Sequence, residues 1–149
     1  MDLILWRHAE AEDEAAGGDM ARALTKRGRK QAERMGEWLR AHVSDDWRVV
    51  ASPARRAVQT AKGLGLDFEE REALSPGASA ADILREAGWP EGRHSVVVVG
   101  HQPALGEAAA RILGVRGDLG LRKGAIFWFA RKGPQTALRC VLDPELLER

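Results

Sequence analysis

Residues 95–100 read SVVVVG, and those four consecutive valines constrain the fold more than any other feature of the chain. Valine is stiff at χ1 and favours extended backbone. A strand with one wet face would alternate apolar and polar residues, and this one does not. It must be covered on both faces, as in a parallel sheet between layers of helices. LILW (3–6) has the same continuous pattern, and WRVVAS (47–52) reads as a further strand. Parallel strands need long crossovers. Helical patterns fill them.

Thr25 reads as an N-cap, and Ala32, Met35, Leu39 and Val43 recur after it at helical spacing. SPARRAVQTAKGLG (52–65) predicts a helix with Ser52 as N-cap, Pro53 at its first position and a glycine exit. Its inner stripe is Ala54, Ala57, Val58, Ala61 and Leu64. LDFEE (66–70) suggests a short strand and LSPGAS (74–79) a loop. AADILREAG (80–88) and PALGEAAARILG (103–114) predict two further helices. After a glycine-punctuated loop over 114–124, AIFWFAR (125–131) and TALRCVL (136–142) pattern as a closing hairpin. The expected class is α/β: one three-layer α/β/α domain over residues 1–149, its central sheet mostly parallel, with an antiparallel C-terminal hairpin.

Composition narrows the partners. A net charge of +1 provides no strong field toward nucleic acid or a membrane surface. No run approaches the roughly 20 apolar residues needed to cross a bilayer. The first apolar run is too short for a signal peptide and lacks a basic flank, so a cytoplasmic location is expected. The single cysteine, Cys140, fits a reducing compartment and reads as a small packed hydrophobe in ALRCVL. Arg22, Arg27, Arg29, Lys30 and Arg34 read as a solvated basic face, and His42 and His94 as solvated. Nothing in the sequence sets an oligomeric state.

The polar residues fall where the apolar strands end. The first strand ends in Arg7-His8, and the third in Gly100-His101. The second ends in Ser52-Pro53, with Arg55 and Arg56 in the next turn. Ligands bind an open parallel sheet at the C-terminal strand ends. Topology alone therefore gathers Arg7, His8, Arg56 and His101 into one cleft. Arginines offer permanently charged forks for phosphate oxygens. The helix N-termini after Ser52 and Gln102 add partial positive charge. A histidine beside arginines is held neutral, and neutral imidazole is a nucleophile. The set points to phosphoryl transfer through a phosphohistidine. A metal on His8 and His101 with Glu10 or Glu12 is disfavoured, because the arginines repel a cation and no H-x-x-H spacing occurs.

RHAEAE, ALTKRGRKQA, SPARRAVQTA and VVVGHQP, in that order, resemble the histidine phosphatase superfamily of phosphoglycerate mutases and histidine acid phosphatases. The short length and the alanine after Arg7-His8 resemble its phosphohistidine phosphatases of the bacterial SixA type. The resemblance implies that His8 accepts the phosphoryl group and that Arg7 binds it. Arg56, fourth after the serine of the S-P-x-x-R-A element, and His101 would hold its oxygens. Thr25 and Gly28 match an L-T-x-x-G element read as structural, a cap and a tight helix approach.

One departure from the family pattern bears on the substrate. Mutases of the superfamily carry a glutamate general acid after the third strand. Here that position is Pro76, and Glu72 is out of register. A phosphoester needs an acid for its alkoxide. A phosphoramidate leaves as neutral imidazole once its ring is protonated. Glu10, Glu12 and Asp13 of the first loop are the possible substitutes, and no segment is long enough for a lid. The expected activity is a cofactor-independent hydrolase, a phosphohistidine protein phosphatase acting on a phosphohistidine-carrying protein. The alternatives are a phosphomonoesterase for a small phosphorylated substrate and a non-catalytic phosphate-binding module.

Overall fold

A computed structural model describes residues 1–117 and 119–148; within the 114–124 loop and at the C-terminus, Asp118 and Arg149 lie outside the described residues. The sheet has six strands: β1 (Asp2–Arg7), β2 (Arg48–Ala51), β3 (Glu69–Glu70), β4 (Val96–Gly100), β5 (Ile126–Lys132) and β6 (Gln135–Leu142). Their spatial order is β3-β2-β4-β1-β5-β6. The first four in that order run parallel, and β5 and β6 are antiparallel. Four helices cover it: α1 (Lys26–Arg40), α2 (Arg55–Lys62), α3 (Ala80–Ala87) and α4 (Ala104–Leu113).

The valine run behaves as its composition requires. Every residue of β4 is buried, paired to β1 on one side and β2 on the other. Val96 and Val98 face one core with Leu3, Leu5, Phe127 and Phe129, under α3 and α4. Val97 and Val99 face the other with Ile4, Trp6 and Trp128, under α1 and α2. Both side-chain rows of each central strand are thus consumed. The expected three-layer α/β/α domain with an antiparallel closing hairpin is the observed one. Gly133, at φ +58°, makes the tight turn of that hairpin, in a left-handed conformation costly for other residues.

Three local expectations need correction. The helix read from Ser52 begins at Arg55, and its N-cap is Ala54, which offers no capping side chain. The strand read over 66–70 shrinks to Glu69–Glu70, because Leu66 and Phe68 turn in to pack on the α1/α2 core. Helix α1 stops at Arg40, although Val43 stays buried beyond it. Thr25 caps α1 as expected, its hydroxyl accepting from Gly28 N at 2.9 Å. Gly28 permits the tight approach: a Cβ there would lie 1.9 Å from the Glu10 carbonyl oxygen.

Candidate active site

The C-terminal ends of β1, β2 and β4 lie side by side, and the polar residues predicted from the strand ends meet there. His8 N–H donates to Gly100 O at 3.1 Å, and Ser52 N–H donates to Val99 O at 3.0 Å. These backbone bonds set the three chain ends in register. The rings of His8 and His101 lie 5.1 Å apart between centroids. His8, Arg56 and His101 are 7%, 4% and 6% exposed, so three polar residues are sunk in the apolar fold at one place. Buried polar groups of this kind require partners or a function.

Each has a defined orientation. His8 Nδ1 lies 2.8 Å from the Ala9 carbonyl oxygen. A carbonyl only accepts, so Nδ1 carries the proton and Nε2 keeps its lone pair. His101 Nε2 pairs with Ser52 Oγ at 2.7 Å. Ser52 Oγ also accepts from Ala54 N–H at 3.2 Å. Arg7 donates through one terminal nitrogen to Leu121 O at 2.8 Å. Its Nε, and that of Arg56, are buried without a hydrogen-bond partner. Two permanently charged guanidiniums acting on the histidine pair give the cluster a positive character that suits an anion.

The electrostatics match. Burial, opposed by the Ala9 bond and then reinforced by Arg56, Arg7 and Arg22, pushes His8 down to about 4. Burial first, then His8 and Arg56, with the Asp19 carboxylate opposing, pushes His101 down to about 3. Both imidazoles are neutral near pH 7.

Thr60 ties the elements together. Its hydroxyl donates to Arg56 O at 2.7 Å within α2 and accepts from Ala9 N–H at 3.0 Å. The chain just after the histidine is thus held to the helix that carries the arginine. Gln102 closes the start of α4, accepting from Gly106 N–H at 2.7 Å and donating to Leu119 O at 2.9 Å.

Sequence reasoning missed four participants. Thr60 was detectable as a hydroxyl on the apolar face of α2. Ser52 read as a cap, but its short contact is with His101. Arg22 read as part of a solvated face, yet it acts on His8 and pairs with Asp19 at 2.9 Å. Asp19 accepts from Arg56 through its carbonyl at 2.9 Å and its carboxylate at 3.2 Å. The loop carrying Asp19 and Arg22 has no periodicity from which a reader could place either side chain.

The carboxylates named as possible general acids have the following surroundings. Glu10 is committed to α1, accepting from the Thr25 hydroxyl at 3.0 Å, with Arg27 3.9 Å away. Glu12 and Asp13 are exposed, and among the described residues neither side chain bonds to the cluster. Glu72 is exposed beside Ser75. No group of metal-ligating side chains occurs among the described residues. The cavity around Trp47 and Arg48 lies at the opposite end of β2 from the cluster. The chemistry marks the site.

Fold and cluster together define an α/β protein with paired histidines and two arginines gathered at the C-terminal ends of its central strands. Residues 3–76 match the model of the histidine phosphatase superfamily (branch 1). The phosphohistidine phosphatase SixA homologue of Haemophilus influenzae is 36% identical, over 80% of this chain and 81% of that protein. The phosphohistidine phosphatase SixA of Escherichia coli is 31% identical, over 75% and 74%. A structure of the protein histidine phosphatase SixA complexed with tungstate superposes with a TM-score of 0.85 at 26% identity, covering 99% of this chain and 100% of that one. The chain belongs to branch 1 of the histidine phosphatase superfamily and is a SixA-like member of it.

Proposed function

We propose that the protein hydrolyses phosphohistidine on a partner protein through a covalent phosphoryl intermediate on His8. The observation that carries this reading is the His8 ring. It is neutral, its Nδ1 proton is held by Ala9 O, and its Nε2 keeps a lone pair within the field of Arg56 and Arg7.

In the first step His8 Nε2 attacks phosphorus, and the P–N bond to the substrate imidazole breaks. The leaving imidazole departs neutral because its other ring nitrogen already carries a proton. Arg7 and Arg56 hold phosphoryl oxygens. Ser52 donates to His101 Nε2, which leaves Nδ1–H of His101 for a third oxygen. The Nδ1 proton retained by His8 makes the intermediate a phosphoimidazolium, whose P–N bond is weak. In the second step water attacks phosphorus from the opposite side, and His8 leaves neutral. The proton of the attacking water goes to the released phosphate. The arginines supply the positive charge, so no metal or organic cofactor takes part. Glu10, Glu12 and Asp13 have no part in protonating an alkoxide on this reading, which favours phosphoramidates over alkyl esters. The described helices include none long and apolar enough to cross a membrane.

Phosphate release from a phosphohistidine-carrying protein and from an alkyl phosphate monoester, with wild type and His8→Ala, tests the proposal. Fast release from phosphohistidine alone, abolished in the variant, is expected. Comparable release from the alkyl ester makes the protein a general phosphomonoesterase. No turnover of either makes it a binding module.

A further inference from the structure

The contact between Asp19 and Arg56 is unusual for a phosphate site. A carboxylate engages the guanidinium that an incoming dianion must use. Asp19 takes both terminal nitrogens of Arg56, one with its carbonyl oxygen at 2.9 Å and one with a carboxylate oxygen at 3.2 Å. Its other carboxylate oxygen accepts from Arg22 at 2.9 Å, and Arg22 Nε donates to Glu12 O at 2.6 Å. The Arg22 hydrogen bond is the main reason the Asp19 carboxyl lies below the usual carboxylate range, so it is ionised near neutrality.

A carboxylate there can do one of three things. It can plug the site, it can take a proton from water, or it can hold the arginine in place. The geometry favours the third. A guanidinium is planar, so fixing both terminal nitrogens fixes the direction of the third. That third nitrogen, Nε of Arg56, is buried and has no partner. Asp19 therefore holds the guanidinium in one orientation, and each terminal nitrogen keeps a second N–H beyond the one Asp19 accepts. The charges acting on His8 are Arg56, Arg7 and Arg22, whereas Asp19 acts on His101. Asp19 also gives one carboxylate oxygen to Arg56 and the other to Arg22, which ties the two arginines together.

We propose that Asp19 is a positioning residue: it clamps both terminal nitrogens of Arg56, which fixes the guanidinium plane beside the paired histidines, and it holds Arg22 at the same site. This inference rests on the phosphate-holding role proposed above for Arg56.

Tungstate, a tetrahedral oxyanion, is the probe, and its dissociation constant is compared for wild type, Asp19→Asn and Asp19→Ala. Asparagine keeps an oxygen that can accept from Arg56 but loses the charge. Alanine loses both. A clamp predicts that Asp19→Ala binds tungstate about tenfold more weakly than wild type, and that Asp19→Asn, which keeps one of the two acceptor oxygens, binds more tightly than Asp19→Ala. Turnover should follow the same order. Tighter binding by both variants would mean that Asp19 is a plug, and would overturn the inference. Unchanged binding with equally slow turnover in both would make it a base, and would overturn it as well. Equal binding and turnover in all three, with only the melting temperature moved, would leave a purely structural role and overturn it too. If wild type binds tungstate but does not release phosphate from phosphohistidine, the reading of the activity fails while the comparison still decides the role of Asp19.

Discussion

His8 holds two properties that oppose each other in water. A basic imidazole is a good nucleophile but is protonated in mild acid. Burial among arginines separates the two by disfavouring the cation, and the value falls to about 4. The kcat/KM profile reports groups of the free enzyme. The enzyme should therefore contribute no acid-side loss near the ordinary histidine value of about 6.5, where the only titration the mechanism uses is the substrate's own imidazole. A tenfold loss between pH 7 and 5.5 that tracks a group of the enzyme would contradict this. Stability has the same origin. Between about 6.5 and about 4 the unfolded chain takes up protons at His8 and His101 that the folded chain refuses. Unfolding free energy should accordingly fall as pH drops through that window, and His101→Gln should flatten the slope in denaturant titrations. His8 and His101 were legible in the sequence because they follow apolar strands, whose ends topology aligns. Asp19 was not, since it acts through a carbonyl and a carboxylate on a loop whose path depends on Arg56 itself.

At the scale of elements, the site depends on joints more than on any one strand. Thr60 is the joint between β1 and α2, and its hydroxyl is the acceptor for Ala9 N–H. Thr60→Val keeps shape and volume but leaves that buried N–H unpaired, a cost of about 1–3 kcal/mol. Denaturant unfolding should show a loss in that range, and turnover should drop as well because Ala9 O holds the His8 ring. A stability loss with turnover unchanged would mean that the joint serves folding alone. The helices and central strands were readable from periodicity, caps and uninterrupted valine. The start of α2 was not, for a physical reason. Ser-Pro before a helix is a strong capping signature, but Ser52 is buried next to His101 and its hydroxyl serves that ring too. The β3 error has the same character: Leu66 and Phe68 are good strand formers, and tertiary burial of their side chains overrides extended pairing.

For the whole molecule, a doubly covered sheet leaves one edge at which backbone geometry brings together residues 7, 8, 56 and 101 without any local sequence signal joining them. On the proposed reading, arginines at that edge supply the positive charge that phosphoryl transfer needs. Turnover should therefore persist unchanged in excess EDTA, and a tenfold or greater loss restored by added divalent metal would refute the arginine account. The central claim is the covalent step. Rapid quenching of the reaction with a ³²P-phosphohistidine protein measures it most directly. Wild type should carry transient label that is stable in alkali, labile in acid and mapped to His8, and His8→Ala should carry none and release no phosphate. Phosphate release without any labelled enzyme, or undiminished in His8→Ala, would show that water attacks the substrate directly and would contradict the account.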